Sequence, residues 1–280
     1  LDKTGKATIN VTGNSKFLID GTNRGYVNSP VIHVEDSEFT VQNCTSNASN
    51  GGYLTAVNST VVYKNNRGHG LSTGAVILKN STLTSDNNGL YGVYVSRKFL
   101  VDGTSSLTVT NNSYDGDYAG VNLTAGVTDG RVESGAVVTI TGNKCSGFSS
   151  RGVCTFEEGA KLTITDNYND KGSASYGGGI YNTKDTAKLV LPSDAVIYNN
   201  HAVTGGDDIY NTGTITFGKV GENWTLSDCD HLIDGWYVDS AKDGNEDGRP
   251  DRWSAHDDLI FTEEFTGYGS EITGELSLKA

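Results

Sequence analysis

The sequence predicts an all-β chain, a right-handed parallel β-helix (β-solenoid) over residues 1–218 closed by a different C-terminal segment over 219–280. Three observations carry this. A Thr-rich alternating strand ending in Asn recurs along the chain; the recurrences are one solenoid coil apart; and a glycine or tyrosine leading a short apolar strand follows in most coils.

The first phrase reads Phe39-Thr40-Val41-Gln42-Asn43, then Val61-Val62-Tyr63-Lys64-Asn65, then Leu83-Thr84-Ser85-Asp86-Asn87. It returns at Leu107–Asn111, Val138–Asn143, Leu162–Asn167 and Ala195–Asn199, so the asparagines are 22, 22, 24, 32, 24 and 32 residues apart. That is the length of one three-sided coil, with loops inserted at two places. The second phrase includes Gly74-Ala75-Val76-Ile77-Leu78, Tyr91-Gly92-Val93-Tyr94-Val95 and Gly179-Ile180-Tyr181-Asn182. Alternation of period two sends Val, Ile and Leu inward and Thr, Ser and Lys outward, and β-branched residues suit such strands. Glycine and asparagine tolerate the left-handed backbone at corners. Asparagines stacked coil on coil are expected to form amide ladders that satisfy buried turn groups. A β-sandwich would instead show turns every 8–12 residues.

The composition agrees. Of 280 residues only 35 % are hydrophobic, with 36 glycines and 3 prolines. A stack of coils needs few core residues per unit length, because each coil buries its inward face against two neighbours. Methionine is absent and Leu1 begins in a strand-like pattern, which points to a segment of a longer protein. No apolar run approaches the roughly 18 residues of a membrane-spanning helix.

The net charge of −13 is uneven: residues 1–218 hold 19 acidic and 16 basic side chains, residues 219–280 hold 15 and 5. This balance disfavours nucleic acid and anionic lipid as partners, since both require a basic surface. The cysteines, Cys44, Cys145, Cys154 and Cys229, are too few for a disulfide scaffold. Cys145 and Cys154 could bridge across a loop or remain free thiols.

At this point the repeats resemble a known class. Ile164-Thr165-Asp166-Asn167 with Tyr176-Gly177-Gly178-Gly179-Ile180-Tyr181-Asn182 is similar to the repeats of bacterial surface β-helices, among them Gram-positive wall-anchored adhesins and polymorphic outer-membrane proteins. Asn200-His201-Ala202, Gly206-Asp207-Asp208-Ile209-Tyr210-Asn211, Ile233-Asp234-Gly235-Trp236-Tyr237 and Arg252-Trp253-Ser254-Ala255-His256 look like the end of the β-helix region in large surface proteins of Gram-positive gut bacteria. The resemblance implies an extracellular, surface-displayed module in a multidomain adhesin.

Beyond residue 218 lie all three tryptophans, Trp224, Trp236 and Trp253, in a segment expected to cap the last coil. Trp236 and Tyr237 either pack on that coil or stack on a sugar. Asp243, Asn245, Asp247 and Asp251 alternate around Gly248 as oxygen ligands of a Ca²⁺ loop do. Ser254 stands where an EF-hand has its bidentate Glu, so a solvated acidic turn is the competing reading.

Parallel β-helices of the pectate-lyase type also host polysaccharide lyases and glycosidases. Gly68-His69-Gly70 and Asp207-Asp208 look like polygalacturonase elements, but their order is reversed and no Arg-x-Lys follows. Their separation is about five coils, some 24 Å at the strand spacing, too far for one site. The chain is therefore expected to be non-catalytic.

The long coil over 112–135 is the expected binding surface, through Tyr114, Asp115, Asp117, Tyr118, Asp129 and Arg131. Inserted loops on one side of a solenoid often carry binding, and tyrosines beside acids suit a glycan. The expected function is a non-catalytic adhesin module, monomeric, that binds a host or dietary glycan or a host surface protein. A β-helix enzyme and a structural spacer are the alternatives.

Overall fold

The computed structural model describes residues 8–21, 31–113, 118–169, 176–184, 186–192, 195–202 and 208–217, and the backbone of strands Ile260–Phe261, Glu271–Leu276 and Leu278–Lys279. Among them there is no helix. The chain forms the parallel β-solenoid that the repeat predicts. One sheet has eight parallel strands, one from each successive coil, running from Lys16–Asp20 through Glu38–Gln42, Thr60–Lys64 and Thr82–Asp86 to Val196–Tyr198. The other two faces belong to one larger sheet, because long strands such as Leu71–Lys79 and Val93–Val101 turn the bend between them and pair on both sides of a bulge at Ser96-Arg97.

Register explains the core. Phe17, Phe39, Val61, Leu83, Leu107, Val138 and Leu162 are each paired to the next. From Phe39 onward the members of this column are buried. The ring of Phe17 stacks on Phe39, whose centroid lies 5.9 Å away. Alternate residues of the same strands, such as Thr40, Thr84, Thr108, Thr139 and Thr163, face outward, so a one-residue slip would expose every inward side chain.

The recurring asparagine marks two structural columns. Asn43, Asn65, Asn87, Asn111, Gly142, Asp166 and Asn199 turn the corner with φ between 51° and 67°. The next residue in each coil is buried: Cys44, Asn66, Asn88, Asn112, Asn143, Asn167 and Asn200. The sequence reading placed Asn143 and Asn167 with the corner residues; they belong to the inner column. Its spacing is 22, 24, 31, 24 and 33 residues from Asn66 to Asn200.

The inner column is the expected amide ladder. Oδ1 of Asn112 accepts from the backbone N–H of Asn88 at 3.0 Å and from its Nδ2 at 2.9 Å, and the pattern repeats from Asn66 to Asn200. Each Nδ2 also donates to a carbonyl of the preceding coil, as Asn112 does to Ser85 at 3.0 Å. A buried amide so placed satisfies the corner backbone, and leaving one partner bare costs about 1–3 kcal/mol.

The glycine of the second phrase is fixed by this ladder. Gly70, Gly92, Gly120, Gly147 and Gly179 face it; a Cβ on Gly92 would lie 2.7 Å from Asn112 Nδ2 and 2.8 Å from the Gly120 carbonyl. The last coil puts Asp208 at this position, paired after Gly179 in register. Its carboxylate takes the place of the next asparagine, and Oδ1 accepts from Asn200 N–H at 3.1 Å and Nδ2 at 2.8 Å. Beyond it, Glu271–Leu276 pairs antiparallel with Ile209–Phe217.

A second ladder went unread in the sequence. At the corner before the eight-stranded sheet, the backbone N–H groups of Ser15, Ser37, Ser59 and Ser81 donate to the hydroxyls of Ser37, Ser59, Ser81 and Ser105, at 3.0–3.1 Å.

Candidate binding surface

His69 and Tyr91 stand directly before the column glycines Gly70 and Gly92, so the ladder fixes the backbone that carries them. Their rings stack at 5.2 Å with an interplanar angle of 23°. Tyr118 closes on both edge-on, 5.7 Å from His69 and 4.7 Å from Tyr91. Tyr94, from the outward side of the following strand, lies 5.2 Å from Tyr91. All four side chains are half-buried, so together they form one aromatic platform that stays partly open to solvent.

Burial sets the charge state of this platform. It lowers the His69 pKa, and Nδ1 accepts the Tyr91 backbone N–H at 3.2 Å, so the neutral ring carries its proton on Nε2. Burial raises the Tyr91 phenol, and the neighbouring Tyr94 and Tyr118 raise it further. Arg151 acts on the Tyr91 phenol in the opposite sense, so these rings and hydroxyls, suited to stacking and hydrogen bonding, lie near one cation.

The outward column containing Tyr94 continues through Asn122, Ser149, Tyr181 and Tyr210. Tyr210 lies 5.7 Å from Tyr181 and 4.4 Å from Tyr176, forming a second aromatic patch on the same face. Three strand steps separate Tyr94 from Tyr181, about 14 Å.

Of the residues expected to bind, Tyr118 joins the platform. Arg131 and Asp129 belong to the next face of the same coil. Arg131 is bound there to the Glu157 carboxylate, which also accepts the Ser134 backbone N–H at 3.0 Å. These bonds hold the Glu157 pKa below the usual carboxylate value. Tyr114, Asp115 and Asp117 lie outside the described residues, as do the Asp243, Asn245, Asp247 and Asp251 loop and all three tryptophans. Among the described residues no group of three or more His, Cys, Asp or Glu is placed to hold a metal. His69, Tyr91 and Tyr94 were missed as site residues, although their register in the second phrase could have aligned them.

Cys145 and Cys154 are both buried thiols with no disulfide between them, so the bridge considered from the sequence is not formed. Burial raises the Cys154 thiol pKa, which keeps it protonated. Of the two polygalacturonase-like fragments, His69 joins the platform and Asp208 ends the ladder, while Asp207 lies outside the described residues.

Comparison with protein-family models, curated proteins and solved structures returns no match.

Proposed function

We propose that this chain is a non-catalytic carbohydrate-binding module of the surface-adhesin type that its repeats resemble, displayed outside the cell on a larger protein. The observation that supports this reading is the platform of Tyr91, Tyr94, Tyr118 and His69, held rigid by the glycine and asparagine columns behind it. Pyranose rings present apolar C–H faces and hydroxyl rims, which match partly exposed tyrosine rings and their hydroxyls. Rings carried on a hydrogen-bonded stack of coils bind with little ordering cost.

The test is retention of the purified chain on an array of glycans and matrix proteins. Selective glycan retention that Tyr91→Ala abolishes supports the module. Retention on no surface favours a spacer, and release of shortened products favours the enzyme.

A further inference from the structure

A groove of about 800 Å³ opens at the bend between the two faces of the larger sheet, bordered by Tyr94 of the platform. Its wall is built at the bend by Gly51-Gly52, which lie opposite Thr73-Gly74, and by Ser96-Arg97, which face Gly74 alone and so add one residue to the bend. The Tyr53 ring lies against Gly74, where a Cβ would sit 3.2 Å from a ring carbon. Arg97 reaches across two coils, and its Nη1 donates to the Tyr53 hydroxyl at 3.1 Å. Tyr53 is 40 % exposed although it is pinned on both sides.

Arg97 is the cation of the groove, anchored to an aromatic hydroxyl and not to an acid. The chain carries a net charge of −13, yet among the described residues Arg97 pairs with no carboxylate; the cations that do are Lys16, His33 and Arg131. Arg97 lines the groove together with Ser72, Thr73 and Ser96, and its bond to Tyr53 uses one of its five N–H groups. A fixed guanidinium fork next to a pinned aromatic ring is the arrangement that takes a planar carboxylate on a ring-shaped ligand.

We infer that this groove is a subsite for an acidic saccharide, with Arg97 holding the carboxylate of a uronic or sialic acid and Tyr53 and Tyr94 flanking the sugar ring. The inference rests on the carbohydrate-binding reading above and names the class of sugar. A glycan lying along the stack reaches the groove from the platform, because Tyr94 belongs to both.

The experiment measures binding of the purified chain to oligogalacturonate, sialyllactose, a sulfated oligosaccharide and a neutral cello-oligosaccharide. The variant is Arg97→Gln, at an exposed position, checked for an unchanged thermal midpoint. Arg97→Gln is expected to weaken binding of the carboxylated ligands at least about tenfold, the size of one lost charge-assisted contact, with neutral binding held within about twofold. Equal affinity of wild type and Arg97→Gln for the acidic sugars overturns the subsite. If neutral sugars still bind and Tyr91→Ala abolishes them, the module survives without it. Preference for the sulfated probe over both carboxylated ones overturns the carboxylate assignment, and binding of no sugar overturns both readings.

Discussion

Asn200 donates its backbone N–H and its side-chain amide to the same oxygen of Asp208, at 3.1 and 2.8 Å. Every earlier rung of the ladder spans one full coil, whereas this one spans eight residues within the last. Asp208 achieves it by occupying the glycine column, where a side chain is tolerated only because no further asparagine lies opposite. The ladder therefore carries its own terminator. Asp208→Ala is expected to lower stability by about 1–3 kcal/mol, the cost of buried donors left bare. Asp208→Asn, which keeps the acceptor, should recover most of the loss. Urea unfolding of the three proteins checks this, and equal midpoints would remove the terminator role.

The two asparagine columns predict opposite responses to glycine. Asn111 turns a corner at φ 57°, a position that Gly142 fills in the next coil. Asn111→Gly should leave the thermal midpoint nearly unchanged, because glycine adopts that backbone without strain. Asn112→Gly removes a buried rung and should cost about 1–3 kcal/mol. Thermal denaturation of both variants separates the columns.

The glycine column should resist even a methyl group. Gly92→Ala brings Cβ within 2.8 Å of a carbonyl of the next coil and within 2.7 Å of an amide nitrogen. Overpacking of this kind costs about 1–3 kcal/mol. The shift in urea midpoint measures it, and an unchanged midpoint would mean that the coils separate freely.

His69 gives the fold a pH dependence distinct from that of its carboxylates. Its folded pKa is lowered by burial, so the unfolded chain binds the proton more readily. Its contribution to stability is complete above the unfolded value, about 6.5, and is lost as pH falls through the lower folded value. Asp102 and Glu157 are also lowered, so their contributions are lost only below about pH 4. Stability measured at pH 7.5 and 5.5 should fall in wild type and fall less in His69→Gln.

Much of the fold was legible because the solenoid writes its period directly into the chain. Phe39, Val61, Leu83 and Leu107 recur at coil spacing with threonine between inward positions, which no hairpin pattern reproduces. The columns were harder to tell apart. Asn65-Asn66, Asn87-Asn88 and Asn111-Asn112 put the same residue at the strained corner and in the buried rung, and identity alone does not say which is which. The serine ladder was hidden because serine is common in outward positions too. The platform was missed for a topological reason: His69, Tyr91 and Tyr118 are far apart in sequence and adjacent only once the coils stack. The reverse holds for Tyr118 and Arg131, close in sequence and placed on successive faces of one coil.

The central claim is that the tyrosine platform binds carbohydrate. The direct measurement is the binding isotherm of a glycan retained by the wild-type chain, repeated with Tyr91→Ala and Tyr181→Ala. The account predicts that Tyr91→Ala weakens binding by about tenfold or more, the effect of losing one stacked ring, while the thermal midpoint holds. Tyr181→Ala should weaken only ligands long enough to span both patches. Undiminished affinity in Tyr91→Ala would contradict the account and place the glycan elsewhere on the solenoid.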